Sequence, residues 1–127
     1  MLLDTLVRYL QDVESAIKEL QGYVERYEEE IISPTRVNLR VRVRFANGYL
    51  LELNEAIVGE GEVIGHLGYR YHLQDKDNNL VFRYDNTPHY KSAHTFPHHK
   101  HVPDKVIGVQ QPSIIDVIAE AKQRTNA

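Results

Sequence analysis

The sequence of 127 residues contains no cysteine. That excludes a disulfide framework, a thiolate metal site and a cysteine nucleophile. Long apolar runs are missing too. None approaches the ~18 residues that would cross a bilayer, so no membrane partner is expected. The opening MLLDTLVRYL has Asp4 among its apolar residues. It lacks the charged start and cleavage site of a signal peptide, so a cytoplasmic protein is expected. Nor is there an excess of positive charge. The net charge of -3 argues against a protein that coats long nucleic acid through its overall charge. A local basic site remains compatible with it. What is present suits a folded chain: 42% hydrophobic and 26% charged residues place it outside the disordered class. The length fits a single domain over residues 1–127.

The charge is unevenly spread. Residues 1–33 hold eight acids and three bases, a balance of -5. Residues 34–111 hold ten bases, eight acids and all seven histidines. The middle of the chain is therefore mildly basic, and more so when its histidines take protons.

Residues 2–31 read as one long helix. Leu3, Leu6, Leu10, Val13, Ile17, Leu20, Val24, Tyr27 and Ile31 recur at spacings of three and four. That is a heptad seam, suited to packing on a sheet or on a second copy of itself. Ser33-Pro34 ends it. Residues 36–45, RVNLRVRVRF, alternate as a half-buried strand. Asn47-Gly48 turns the chain into a return strand near 50–58. The expected register sets Phe45 opposite Leu51 and Arg44 opposite Glu52. A second hairpin joins GYRYHLQ to LVFRYDN. Pairing Tyr71 with Tyr84 and Leu73 with Phe82 gives it one apolar face. Arg70, His72, Gln74, Arg83 and Asp85 then share the other. Three prolines break residues 86–105 into a loop and a short strand around 98–102. Ser113 opens a last helix, with Asp116 at the capping-box position. The expected fold is α+β: a long N-terminal helix, a four- to five-stranded antiparallel sheet and a C-terminal helix. Helices cover one face of the sheet only.

Residues 86–105 carry five histidines and three lysines against one acid. The run His98-His99-Lys100-His101 has three readings. It is a surface accident of composition, or His99 and His101 ligate a metal with Asp85, or it performs acid–base catalysis on a phosphodiester without metal. The last needs a base for the ribose 2′-hydroxyl, an acid for the leaving oxygen and cations on the phosphoryl oxygens. Histidine serves either proton-transfer role near neutral pH; Arg and Lys supply the cations. The Arg40, Arg42 and Arg44 stripe is either a solvated strand face paired with Glu52 or a phosphate-binding floor.

The segment from Tyr69 to Val102 resembles the TumE family of toxin–antitoxin proteins. Tyr69-Arg70-Tyr71-His72, Phe82-Arg83-Tyr84-Asp85-Asn86 with Pro88-His89, and Phe96-Pro97-His98-His99-Lys100-His101 carry the likeness. It implies a fold similar to the RelE and barnase ribonucleases, which cut RNA without metal on an open sheet face. Similar compact proteins are ring nucleases of type III CRISPR systems. They are homodimers that cleave cyclic oligoadenylate. The resemblance alone does not separate ring nuclease from toxin. A toxin implies linear RNA as substrate and an antitoxin as partner. The low net charge favours the small ring, which needs only a local basic pocket, and a two-fold dimer suits it. A binding module that does not cut is the remaining reading. The expected catalytic residues are His99, His101, Lys100, Arg83 and Asp85. Arg70, His72, Tyr84, His89 and Arg42 are expected to bind substrate, with no metal or other cofactor. One conflict stands: in a regular strand His99 and His101 point away from His98 and Lys100.

Overall fold

The computed structural model describes residues 1–87 and 97–125. The elements are α1 (Asp4–Lys18), β1 (Gly22–Ser33), β2 (Arg36–Phe45), β3 (Leu50–Glu60), β4 (Val63–Gln74), β5 (Leu80–Asp85), β6 (His99–Val102), β7 (Lys105–Gly108) and α2 (Ile114–Thr125). The strands form one antiparallel meander in the order β1 to β7. The class is α+β, as expected from the alternation. The strand count is seven rather than four or five, and the first helix is short.

The shortened helix is the largest correction. Leu6, Leu10, Val13 and Ile17 are buried as the seam requires. Beyond Lys18 the chain turns and runs back as β1. Tyr23, Val24, Tyr27, Ile31 and Ile32 are aromatic or β-branched and fit a strand. Cross-strand charge adds to that: Glu28 lies opposite Arg40, and Tyr23 opposite Arg44. Gly22 makes the turn possible, because a Cβ there would sit 2.7 Å from Val43 Cγ1. The helical seam that suggested packing on a second copy therefore stops at α1.

The first hairpin is shifted by two residues from the expected register. Val43 pairs with Leu51 and Arg42 with Glu52. The cause is a tighter loop. The Gly48 N–H donates to Phe45 O, the Phe45 N–H to Tyr49 O, and Gly48 takes φ +90°. That leaves a three-residue connection closed by a left-handed glycine. The second hairpin has the expected pairs, Tyr71 with Tyr84 and Leu73 with Phe82.

Both helices cover the same sheet face. Their buried residues join Val37, Leu39, Val41, Val43, Leu51, Leu53, Tyr71, Leu73 and Phe82 in one core. The capping position holds as read: the Asp116 N–H donates to Ser113 Oγ at 3.1 Å. The other face of the sheet carries the polar residues. No helix among the described residues is long and apolar enough to cross a membrane.

Candidate active site on the open sheet face

Two ranks of side chains cross the open face at right angles to the strands. Register places Arg40, Asn54, Arg70, Asp85 and His99 in one line. The line beside it holds Arg42, Glu52, His72, Arg83 and His101. Alternation alone brings these groups together from five strands.

The two ranks converge at Asp85. His99 Nε2 lies 2.6 Å from its Oδ1. His101 Nε2 lies 3.3 Å from Oδ2, and Arg83 Nε 3.4 Å from the same oxygen. The Thr87 N–H donates to Oδ1 at 3.2 Å. The two imidazoles meet edge to face with centroids 4.9 Å apart. Asp85 and His99 are buried, 4% and 3% exposed. His99 Nδ1 is 3.0 Å from the Pro97 carbonyl, which only accepts. The ring is thus flanked by two acceptors, and both its nitrogens carry hydrogen when Asp85 is ionised. His101 is held below the usual histidine range, first by burial and then by the Arg83 charge, against the pull of Asp85. Its neutral form is favoured, and a neutral imidazole accepts a proton. His72 pairs with Arg83 in register. Its Nε2 contacts Gln74 Oε1 at 2.9 Å, and burial lowers its pKa.

The expected site residues divide. Asp85, His99, His101, Arg83, Arg70 and His72 share the open face. Lys100 and Tyr84 do not join them. They pair with each other in register and point to the helix side, where Lys100 Nζ lies 2.9 Å from Glu120 Oε2 and Tyr84 donates to Glu120 Oε1 at 2.7 Å. Strand parity is the reason; β6 runs regularly through Lys100, so the conflict resolves in favour of the histidines. His98 is on the helix side too, its Nδ1 2.9 Å from the Tyr69 hydroxyl. Arg42 is on the open face but engaged: its guanidinium lies 2.8 Å from Glu25 and 3.5 Å from Glu52. Glu25 also meets Arg44, and Glu28 meets Arg40. The acids of β1 therefore cover the Arg stripe, and their guanidiniums hold Glu25 and Glu28 below the usual carboxylate range. Each pair is exposed and adds little stability. Their effect is on the local field. His89 lies outside the described residues.

One cluster was missed in the sequence. Glu55 is 4% exposed on the helix side of β3. It accepts from Tyr9 at 2.5 Å and from Tyr71 at 2.6 Å, and lies 3.2 Å from His66 Nε2. A bulge puts His66 there: register jumps between Ala56 and Ile57, so β4 swaps faces below Gly68.

Asp85, His99 and His101 also have ligand atoms within 4.8 Å of one another, so they could hold a metal ion. Arg83 already supplies a cation at the same carboxylate oxygen, which weakens the site for a second positive charge.

Folding should depend on pH through this region. His72, His98 and His101 are all lowered by burial from the ordinary 6.5. The unfolded chain then binds more protons than the native one at mildly acidic pH, and stability falls as pH drops through 6.5. Urea midpoints at pH 7.5 and 5.5 check this; equal midpoints would contradict it.

With the geometry in hand, the comparisons add identity. The family model described as Toxin TumE matches residues 8–125. The chain belongs to the TumE toxin family. The match spans α1 to α2, so the open face with its Asp85 cluster lies wholly inside this TumE-family region. No curated protein and no solved structure matches the chain.

Proposed function

We propose that this TumE-family chain is a metal-independent endoribonuclease, the toxin of a toxin–antitoxin pair, cutting linear RNA by 2′-hydroxyl attack. The Asp85 cluster carries this reading: one carboxylate, two imidazoles and a guanidinium converge on one face within 3.4 Å. His101, favoured as the neutral ring, takes the 2′-hydroxyl proton. The 2′-oxygen bonds to phosphorus and the bond to the 5′-oxygen breaks. The His99–Asp85 pair holds a second proton, the one the leaving oxygen needs. Arg83 balances the phosphorane charge, and Arg70 and His72 line the way in. The products are a 2′,3′-cyclic phosphate and a 5′-hydroxyl. Family membership supports a toxin with an antitoxin partner acting in the cytoplasm.

Cyclic oligoadenylate is the second reading, and one observation favours it. Glu25, Glu28 and Glu52 engage Arg40, Arg42 and Arg44, leaving a small basic patch suited to a compact ring rather than a long polyanion. That reading also expects a homodimer. Labelled linear RNA and cyclic tetra- and hexaadenylate, each with and without EDTA, separate the two. Linear RNA should be cut to a cyclic phosphate at a rate EDTA leaves unchanged. Preference for rings would reverse the order of the readings, and loss of activity in EDTA would reject the metal-free mechanism.

A further inference from the structure

A cavity of about 400 Å³ opens on the same sheet face beside the Asp85 cluster. Asn38, Arg40, Asn54, Gly68, Arg70 and Asn86 line it. Register fixes its place: Arg70 is the direct neighbour of Asp85 and lies opposite Asn54, with Asn38, Ala56 and Gly68 in the next rank. Ala56 and Gly68 make the hollow, because the flanking positions on this face bear long side chains. Gly68 is not needed for backbone reasons. A Cβ there would meet only Asn86 Oδ1, at 3.9 Å.

The lining has a defined polarity. Arg70 is exposed, and among the described residues no side-chain hydrogen bond or ion pair engages it. It is the free cation of the hollow. Arg40 by contrast is shared with Glu28 and Glu30. Asn86 Oδ1 accepts the Tyr69 N–H at 3.0 Å, which turns its amide nitrogen to other acceptors. Asn38 Nδ2 donates to Glu30 Oε1 at 3.2 Å. A carboxylate only accepts, so this bond fixes the amide orientation. Asn38 Oδ1 is then left buried with no hydrogen-bond partner among the described residues. A buried acceptor without a partner is costly, and a ligand N–H removes the cost.

We infer that this cavity is a nucleotide subsite: Asn38 Oδ1 accepts from the exocyclic amino group of a base, and Arg70 binds the phosphate that joins that nucleotide to the scissile linkage. The volume suits one nucleotide rather than a helix of RNA. Paired carboxamides match the donor–acceptor edge of an amino-bearing base. A base with a carbonyl in place of the amine sets oxygen against Asn38 Oδ1 and is rejected. The inference deepens the nuclease reading and rests on it for the position of the cut, yet binding at the subsite needs no cleavage.

The test titrates adenosine 5′-monophosphate and inosine 5′-monophosphate, which differ in that one group, into the full chain. Amide and carboxamide NMR signals of Asn38, Asn54, Arg70 and Asn86 report binding at about 10 mM ligand, above the millimolar dissociation constant expected of a single nucleotide. The adenosine compound should bind at least about tenfold more tightly. Asn38→Ala should remove the preference while keeping phosphate-dependent binding. Gly68→Leu should fill the hollow and abolish binding of both, with an unfolding midpoint close to wild type. Equal binding of the two nucleotides, shifts confined to other residues, or unchanged affinity in Gly68→Leu would overturn the inference. Binding with the expected preference but no cleavage of any RNA or ring would instead overturn the nuclease reading and leave the subsite standing. Cleavage with no base preference would do the reverse.

Discussion

His101→Ala should lower kcat for RNA cleavage by about 100- to 10,000-fold, the range for loss of a positioned proton-transfer group. His101 is the imidazole of the pair with the more accessible ring, 17% exposed against 4% for His99 by side chain. It sits in register beside Arg83, where a phosphoryl group can bridge the two. KM should change little, since Arg70 and the cavity beside it lie in the neighbouring rank. His99→Ala should cost a similar factor, because Asp85 then loses its 2.6 Å partner and the second proton of the couple. The double variant should be scarcely worse than either single one, since groups that act as a unit do not add. Single-turnover rates with one labelled RNA read all three. Retention of full activity by the double variant would dismiss the cluster as the catalytic centre. Fold is not the confounder for His101, which is only partly buried. For His99 the circular dichroism spectrum and urea midpoint need checking beside the rate.

Much of this site was legible from period alone. Arg70, His72, Arg83 and Asp85 follow the two-residue alternation of a hairpin whose turn residues fix the register, and the structure has those pairs. The strand near 98–102 brought His99 and His101 to the same face for the same reason. Residues 22–31 were not legible. Val24, Tyr27 and Ile31 keep heptad spacing while also suiting a strand, and a glutamate-rich run has good helix propensity. Only partners distant in sequence decide between them: β2 offers an unpaired edge and a row of arginines. The same pairing supplies the carboxylates that engage Arg42, a nonlocal fact that alternation cannot reveal. Glu55 had a local signal. It interrupts Leu51, Leu53 and Ile57 on the apolar face of β3, and an acid at a core position demands donors. Its histidine partner was hidden, because the bulge that turns His66 inward leaves no mark in the hydrophobic period.

Glu55→Ala should destabilise the fold by about 3–5 kcal/mol, the cost of removing one partner from a buried charged network. Tyr9 from α1 and Tyr71 from β4 both donate to this carboxylate. Burial first, and Glu55 second, hold both phenols well above the ordinary tyrosine range, so they remain donors. Gln111 Nε2 lies 3.1 Å from His66 Nδ1. With the amide donating there, the imidazole hydrogen is on Nε2, facing Glu55. Alanine strands two hydroxyls and one N–H among Leu39, Ile57 and the other core side chains. Glu55→Gln keeps one acceptor oxygen and should cost less than half as much. Removing the donors together with the acceptor is the decisive variant. Glu55→Leu with Tyr9→Phe and Tyr71→Phe leaves only His66 unpartnered, and should recover most of the loss, because an apolar set of similar shape has nothing to desolvate. Urea unfolding measures all three. A loss below about 1 kcal/mol in Glu55→Ala, within the range of ordinary surface changes, would mean the carboxylate is not structural. Activity supplies an independent control. The cluster faces the helices while the Asp85 cluster faces out, so the folded fraction of each variant should cleave at the wild-type rate. A variant that stayed fully folded yet lost cleavage would instead move the catalytic centre to the helix side of the sheet, around Glu55 and His66.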